Sequence, residues 1–123
     1  MGKYSFRFEK LEIWKKSIDI GRQLFKIADD LEKKHLYRFA DQLRGAGLSM
    51  SNNIAEGSGS HSKKEFIQFL NIARRSTFEN ANMIILFQME GLISNEIKNQ
   101  LLSDLDELCR MITGFIKTLK QKE

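Results

Sequence analysis

The 123-residue chain contains no proline and a single cysteine, Cys109. Proline makes up about 5% of ordinary sequences, and its absence removes the residue that kinks helices, leaving turns to glycine, serine and asparagine. A lone cysteine excludes an internal disulfide and suits a reducing cytoplasm. Histidine is scarce too, with only His35 and His61. Glu32-Lys33-Lys34-His35 is the one Glu-x-x-His pair, whereas a di-iron bundle needs two such pairs and two further glutamates, so neither metal nor cofactor is expected. The longest wholly apolar run, Met83 to Phe87, is too short to cross a bilayer. Met1 to Phe6 lacks an apolar signal core, and Phe6 stands where a myristoylation motif wants Ser or Thr; export and lipid anchoring are not expected.

What the chain does have is charge of uneven sign and long amphipathic periodicity. Residues 1 to 64 hold 13 Lys/Arg against 8 Asp/Glu, and residues 65 to 123 hold 7 against 8. The basic N-terminal half permits an anionic partner, nucleic acid first, bound by phosphate neutralisation and counterion release. Apolar spacing of three and four predicts one all-α domain over 1 to 123, with helices at about 9 to 34, 36 to 56, 63 to 90 and 95 to 120, and residues 1 to 8 as an N-terminal arm. Short connections between long helices predict an up-down-up-down antiparallel four-helix bundle.

In the first helix Leu11, Trp14, Ile18, Gly21, Phe25 and Ala28 form the expected core row. A second row, Ile13, Ile20 and Ile27 with Leu24 and Leu31, lies about 100° or more around the helix and is surplus to one core; either the first helix is sandwiched centrally or the row packs against another subunit, and for so small a domain the subunit interface is favoured. The second helix has a small-residue middle, Gly45-Ala46-Gly47 with Ser49 and Ser51, which implies close backbone approach. Gly57-Ser58-Gly59-Ser60-His61 reads as a flexible connection, and Ser62-Lys63-Lys64-Glu65 as a capping box opening the third helix. The connection lacks the Gly-Lys-Ser/Thr of a P-loop, which argues against nucleotide hydrolysis. Gly91 is placed as the residue ending the third helix. The fourth carries Ile97, Leu101, Leu105, Leu108, Ile112, Phe115 and Leu119 at alternating steps of four and three.

Small and polar residues interrupt the apolar stripes between positions 49 and 80. At Ser49, Asn53-Ile54-Ala55-Glu56-Gly57, Glu65-Phe66, Phe69-Leu70, Ile72-Ala73, Ser76 and Glu79 the chain resembles the four-helix-bundle proteins encoded by intervening sequences in bacterial 23S ribosomal RNA genes. Phe8 to Trp14 and Gly91-Leu92-Ile93-Ser94 extend the resemblance to nearly the whole chain. It implies a bacterial bundle that assembles into a ring, a homopentamer, and binds nucleic acid, and it implies no catalytic activity. Three positions depart from the family pattern: Gly45 and Ser60 stand where arginine is usual, and Arg75 stands where glycine is usual.

Asn53, Ser76, Thr77, Glu79 and Asn80 lie on or beside a buried stripe and must be hydrogen-bonded to avoid a cost of about 1 to 3 kcal/mol each; a network joining the second and third helices is expected, with Arg44 pairing Glu79. The leading functional expectation is a non-enzymatic oligomer that binds RNA or an RNA-protein assembly. Its contacts would be Lys10, Lys15, Lys16, Arg22, Lys63 and Lys64, with Arg44, Arg74 and Arg75 if exposed. The alternative is a protein-protein scaffold or accessory subunit without direct nucleic-acid binding.

Overall fold

The structure, a computed structural model, describes residues 4 to 122; the expectation about processing or lipidation at Met1 and Gly2 lies outside the described residues. A 3-10 turn at Arg7–Lys10 leads into α1 (Glu12–Lys33), α2 (Tyr37–Ser58), α3 (Lys63–Met89) and α4 (Asn95–Gln121). No strand occurs among the described residues.

The first helix starts three residues later than expected because Glu9 closes a turn of its own. The Phe6 N–H donates to Glu9 Oε2 at 2.6 Å, and Leu11 takes an extended conformation as the N-cap of α1. The arm is therefore held rather than free. Phe8 stacks between Phe6 and Trp14, with ring centroids 5.7 and 5.1 Å away, pinning it to α1.

Both left-handed residues close helices. His35 (φ 65) ends α1 and Gly91 (φ 75) ends α3. In each case the next residue's N–H reaches back five positions, Leu36 to the Leu31 carbonyl and Leu92 to the Phe87 carbonyl, both at 2.9 Å. This is the Schellman arrangement, which satisfies carbonyls left open at a helix end. At Gly91 it matches the expectation; at His35 no glycine announced it. Ser62 and Ser94 cap α3 and α4 by accepting from the Glu65 and Ile97 N–H groups.

The core corrects the assignment of faces on α1. Ile13, Ile20 and Ile27 are buried within the protomer together with Leu24 and Leu31, and Ile20 is 0% exposed; they are not a free interface row. Ile18, Gly21 and Phe25 instead sit at the edge between α1 and α2, where Phe25 remains 37% exposed. The physical reason is volume. The row of branched aliphatics fills the space between helices, while Gly21 lines an open groove between α1 and α2. A Cβ on Gly47 would lie 4.0 Å from Gly21 Cα and 3.2 Å from Leu24 Cδ1.

α1 packs along α2, α2 along α3 and α3 along α4, whereas α1 and α4 touch over a shorter stretch. That last seam is closed by Lys16 of α1, whose ammonium lies 3.2 Å from both Asp104 and Glu107 of α4. The expected close approach in α2 belongs to Gly47 alone, because a Cβ on Gly45 would meet nothing within 4 Å.

Candidate nucleic-acid interface

The polar block of α2 and α3 is a set of rungs between the two helices. Ser49 Oγ and Ser76 Oγ lie 2.9 Å apart. The Asn53 amide donates to Ser49 O at 2.7 Å and to Ser49 Oγ at 3.2 Å. Buried Asn80 donates to Ser76 O and, across the helices, to Ala46 O at 2.9 Å; its Oδ1 has no partner among the described residues. Thr77 donates within its own helix, to Arg74 O.

Gly57 supplies the lowest rung by having no side chain. A Cβ there would sit 2.8 Å from Phe66 Cδ1 and 2.8 Å from Phe69 Cβ. Gly57 and Ser58 are buried and helical, and Ser58 Oγ donates to Ala55 O at 2.7 Å. The expected flexible stretch thus shortens to the few residues around Ser60 and His61, and Gly57 is a packing requirement. Glu56 and Glu79, the carboxylates of the block, are exposed and take no part in the rungs.

Arg44 does not pair with Glu79. It faces α1, where Nη2 reaches Asp29 at 2.8 Å and Nη1 reaches Glu32 at 2.8 Å, with Asp41 at 3.5 Å. The arginine lies on the α1 side of α2, and the acidic last turns of α1 are its nearest counter-charges. The hydrogen bonds it donates to Asp29 and Glu32 raise the guanidinium pKa above its ordinary value. Arg44 is committed within the protomer and is withdrawn as a phosphate contact.

Lys16 is withdrawn for the same reason. Desolvation alone would lower its ammonium pKa, but hydrogen bonds and charge from Asp104 and Glu107 outweigh that, and the net shift is upward. Lys15 is exposed and leans on Glu12 at 3.2 Å. Arg74 is half-buried, its Nε 3.5 Å from Asn71 Oδ1. Lys10, Arg22, Lys63, Lys64 and Arg75 are exposed, and none of the five is in an ion pair among the described residues. They do not form one patch: Lys10, Lys63 and Lys64 lie at the end of the molecule where α1 begins, while Arg22 and Arg75 lie in the middle of α1 and α3.

Sequence reasoning missed Arg7, Lys117, Lys120 and Lys122, all exposed. The last three close α4, and a charge count over half the chain hid them among the acids of that half. The signal was local: three lysines within six residues, with no acidic residue between them.

Two apolar surfaces also remain open. One is a groove of about 320 Å³ between α1 and α2, walled by Ile18, Gly21, Phe25 and Leu48 with Arg22 and Lys26 at its rim. The other is a ridge on α3, Phe78, Ile85 and Met89, of which Phe78 is 65% and Met89 71% exposed. Beside it Phe78, Leu102 and Cys109 line the seam with α4. Among the described residues no group of three or more His, Cys, Asp and Glu side chains is placed to hold a metal, and no helix is long and apolar enough to cross a membrane.

Four packed helices, a register-setting polar block and a basic exterior define an all-α protein without strands among its described residues. The model of the 23S rRNA-intervening sequence protein family matches residues 9–114, and the chain belongs to that family. A solved structure similar to it is a protein of unknown function from the S23 ribosomal protein family of Bacteroides thetaiotaomicron. The two superpose with a TM-score of 0.80 at 23% identity, over 85% of this chain and 98% of that one; at such identity the likeness shows the fold alone. No curated protein matches the chain.

Proposed function

We propose that the protein is a non-enzymatic, cytoplasmic homo-oligomer that binds RNA or an RNA-protein assembly through a basic surface. In this reading its helices alternate up-down-up-down as an antiparallel bundle, and the bundles close into a ring, a pentamer as the family resemblance implies. The rungs Ala46–Asn80, Ser49–Ser76 and Gly57–Phe66 support alternating directions, since the position rises on α2 as it falls on α3.

The observation that carries the RNA reading is the set of exposed cations left without carboxylates, Lys10, Arg22, Lys63, Lys64 and Arg75, in a chain of formal net charge +4. Self-association is supported by the two apolar surfaces. The groove lies on α1 and α2 and the ridge on α3, so a ridge-in-groove contact uses two different patches and is head-to-tail, the kind that generates closed rings. The protein scaffold remains a second reading because the same groove, about 320 Å³ and walled by Ile18, Phe25 and Leu48, is an apolar surface open to a partner's side chains.

Sedimentation and filter binding on the purified protein test both parts. An oligomer that retains RNA at low salt, with affinity falling linearly in log–log salt plots, is the expected result. A monomer refutes the ring. An oligomer that retains no RNA at about 50 mM salt refutes the nucleic-acid reading and leaves the scaffold.

A further inference from the structure

Three segments far apart in sequence meet at one end of the molecule. The arm meets the end of α2: Phe6, Arg7 and Phe8 face Ala55, Ser58 and Gly59 across a groove of about 480 Å³. The start of α3 meets the end of α4, where Phe66 and Phe115 stack edge to face with centroids 5.7 Å apart. The connection from α2 to α3 joins the two pairs.

Each segment brings cations to that end. The arm supplies Arg7 and Lys10, the first turn of α3 supplies Lys63 and Lys64, and the last turns of α4 supply Lys117, Lys120 and Lys122, all exposed. None of these side chains is in an ion pair among the described residues. The nearby acids are fewer, and two are occupied: Glu9 holds the Phe6 N–H and Glu12 holds Lys15. Glu56, on the groove wall, is suited to accept from a base amino group and unsuited to phosphate. The opposite end has no such excess, because Asp29, Glu32 and Asp41 gather around Arg44.

Two aromatic rings stand among these cations with little else to cover them. Tyr4 is 88% and Phe6 68% exposed, and Phe6 is held in place through Phe8 and Trp14. Exposed rings on an anchored arm, flanked by unpaired cations, are the pattern that stacks unpaired bases while the cations follow the backbone. A duplex hides its base faces and leaves such rings idle.

We infer that this end of the molecule is a binding site for single-stranded RNA, with Tyr4 and Phe6 stacking bases at the groove and the lysines of α3 and α4 contacting phosphates. The inference rests on the RNA-binding reading above and places it. Lysines at a helix C-terminus also complement the helix dipole, so the decisive readout is the salt slope rather than affinity alone.

The test is fluorescence anisotropy of the full-length protein with a labelled 12-nucleotide single strand and the same strand annealed to its complement, across a potassium chloride series. Single strand is expected to bind at least about tenfold more tightly than duplex. Tyr4→Ala with Phe6→Ala is expected to weaken single-strand binding by at least about tenfold, given roughly 5- to 150-fold per stacked base. Lys117→Gln, Lys120→Gln and Lys122→Gln together are expected to reduce the log–log salt slope by about 2, at about 0.7 per phosphate contact. Lys33→Gln with Lys34→Gln, at the other end of α1, is expected to change neither. No binding by the unaltered protein overturns the parent reading and this one with it. Binding that survives the arm and α4 variants but is lost with Arg22→Gln and Arg75→Gln keeps the parent reading and overturns this site. Equal affinity for duplex, or a response to the lysines but not the rings, overturns single-strand stacking. Capture by phosphatidylserine vesicles with no affinity for RNA assigns the end to a membrane surface and overturns the inference.

Discussion

Gly57→Ala should destabilise the protein although it places a better helix former in a helix. The added Cβ would lie 2.8 Å from Phe66 Cδ1, 2.8 Å from Phe69 Cβ and 3.3 Å from Phe66 Cε1. Phe69 Cβ is bonded to the α3 backbone and cannot swing aside, and rotation of the Phe66 ring would break its edge contact with Phe115. Relief therefore requires α2 and α3 to part, which strains the Ser49–Ser76 and Asn80–Ala46 rungs. Overpacking costs about 1 to 3 kcal/mol, and against a neighbour that cannot move the upper part of that range applies, about 2 to 3 kcal/mol; the helix-propensity gain of roughly 1 kcal/mol offsets part of it, leaving a net loss of about 1 to 2 kcal/mol. Gly45→Ala is the internal control: a Cβ there meets nothing within 4 Å, so the propensity gain of roughly 1 kcal/mol should appear undiminished. The two substitutions, identical in chemistry and in the same helix, should differ by about 2 to 3 kcal/mol in urea denaturation. At roughly 4 °C per kcal/mol for a domain of this size, their melting temperatures should separate by about 8 to 12 °C. A Gly57→Ala protein as stable as the original would refute the account of that glycine as a packing contact.

Three other outcomes follow from single observations. Ile20 is wholly buried, so Ile20→Glu should abolish cooperative folding, a loss exceeding about 4 kcal/mol, whereas Phe78→Glu on the exposed ridge should leave circular dichroism intact and reduce the sedimenting mass; the reverse pattern would reinstate the isoleucine row as an interface. Lys16→Met keeps the stem and removes the charge between Asp104 and Glu107, costing roughly 1 kcal/mol. Because the folded Lys16 pKa is raised above 10.5, that contribution should be fully present below about pH 10.5 and fade as pH climbs through the higher folded value; a gap between the two proteins that did not narrow as pH rose above 10.5 would count against the clamp. His35→Gly relieves a left-handed residue that has a Cβ and should stabilise by about 0.5 to 1 kcal/mol after the unfolded-state entropy of glycine is set against it; a lower melting temperature would show that the His35–Tyr37 contact at 2.8 Å outweighs the backbone strain.

Helix existence was legible because 22- to 27-residue helices carry many periodic apolar positions, and the end of α3 and the start of α4 were legible because Gly91 and Ser94 have local chemistry. What periodicity could not decide was which of two apolar rows on α1 faces inward. The rows lie about 100° apart, comparable to the width of a buried stripe, and the choice turned on a different helix, whose Gly47 sits against Leu24 of the branched aliphatic row. The Arg44 pairing failed for a related reason. Matching charge and antiparallel packing of α2 on α3 point to Glu79, while Asp29 and Glu32 sit one turn before a connection that folds α2 back beside them. His35 gave no warning at all, since its left-handed conformation is imposed by the carbonyls it helps to satisfy. The basic end was hidden by distance along the chain: Arg7, Lys63 and Lys117 belong to three separate local charge clusters, and only the packing of Phe66 on Phe115 and of the arm on α2 brings them together.

That convergence ties the small-residue block to the end it borders. Gly57 and the rungs above it hold α2 against α3 at the point where the connection begins, and the groove taken by the arm is cut from the same last turn of α2, at Ala55, Ser58 and Gly59. A change that parts the helices at Gly57 must therefore also move one wall of the groove, while Phe6, anchored through Phe8 to Trp14 on α1, stays with the other wall. Gly57→Ala should then weaken single-strand RNA binding under conditions where the protein is still fully folded, and it should do so without changing the salt slope, because no cation is removed. An unaltered affinity in a protein measurably destabilised by the same substitution would separate the two roles and confine Gly57 to packing.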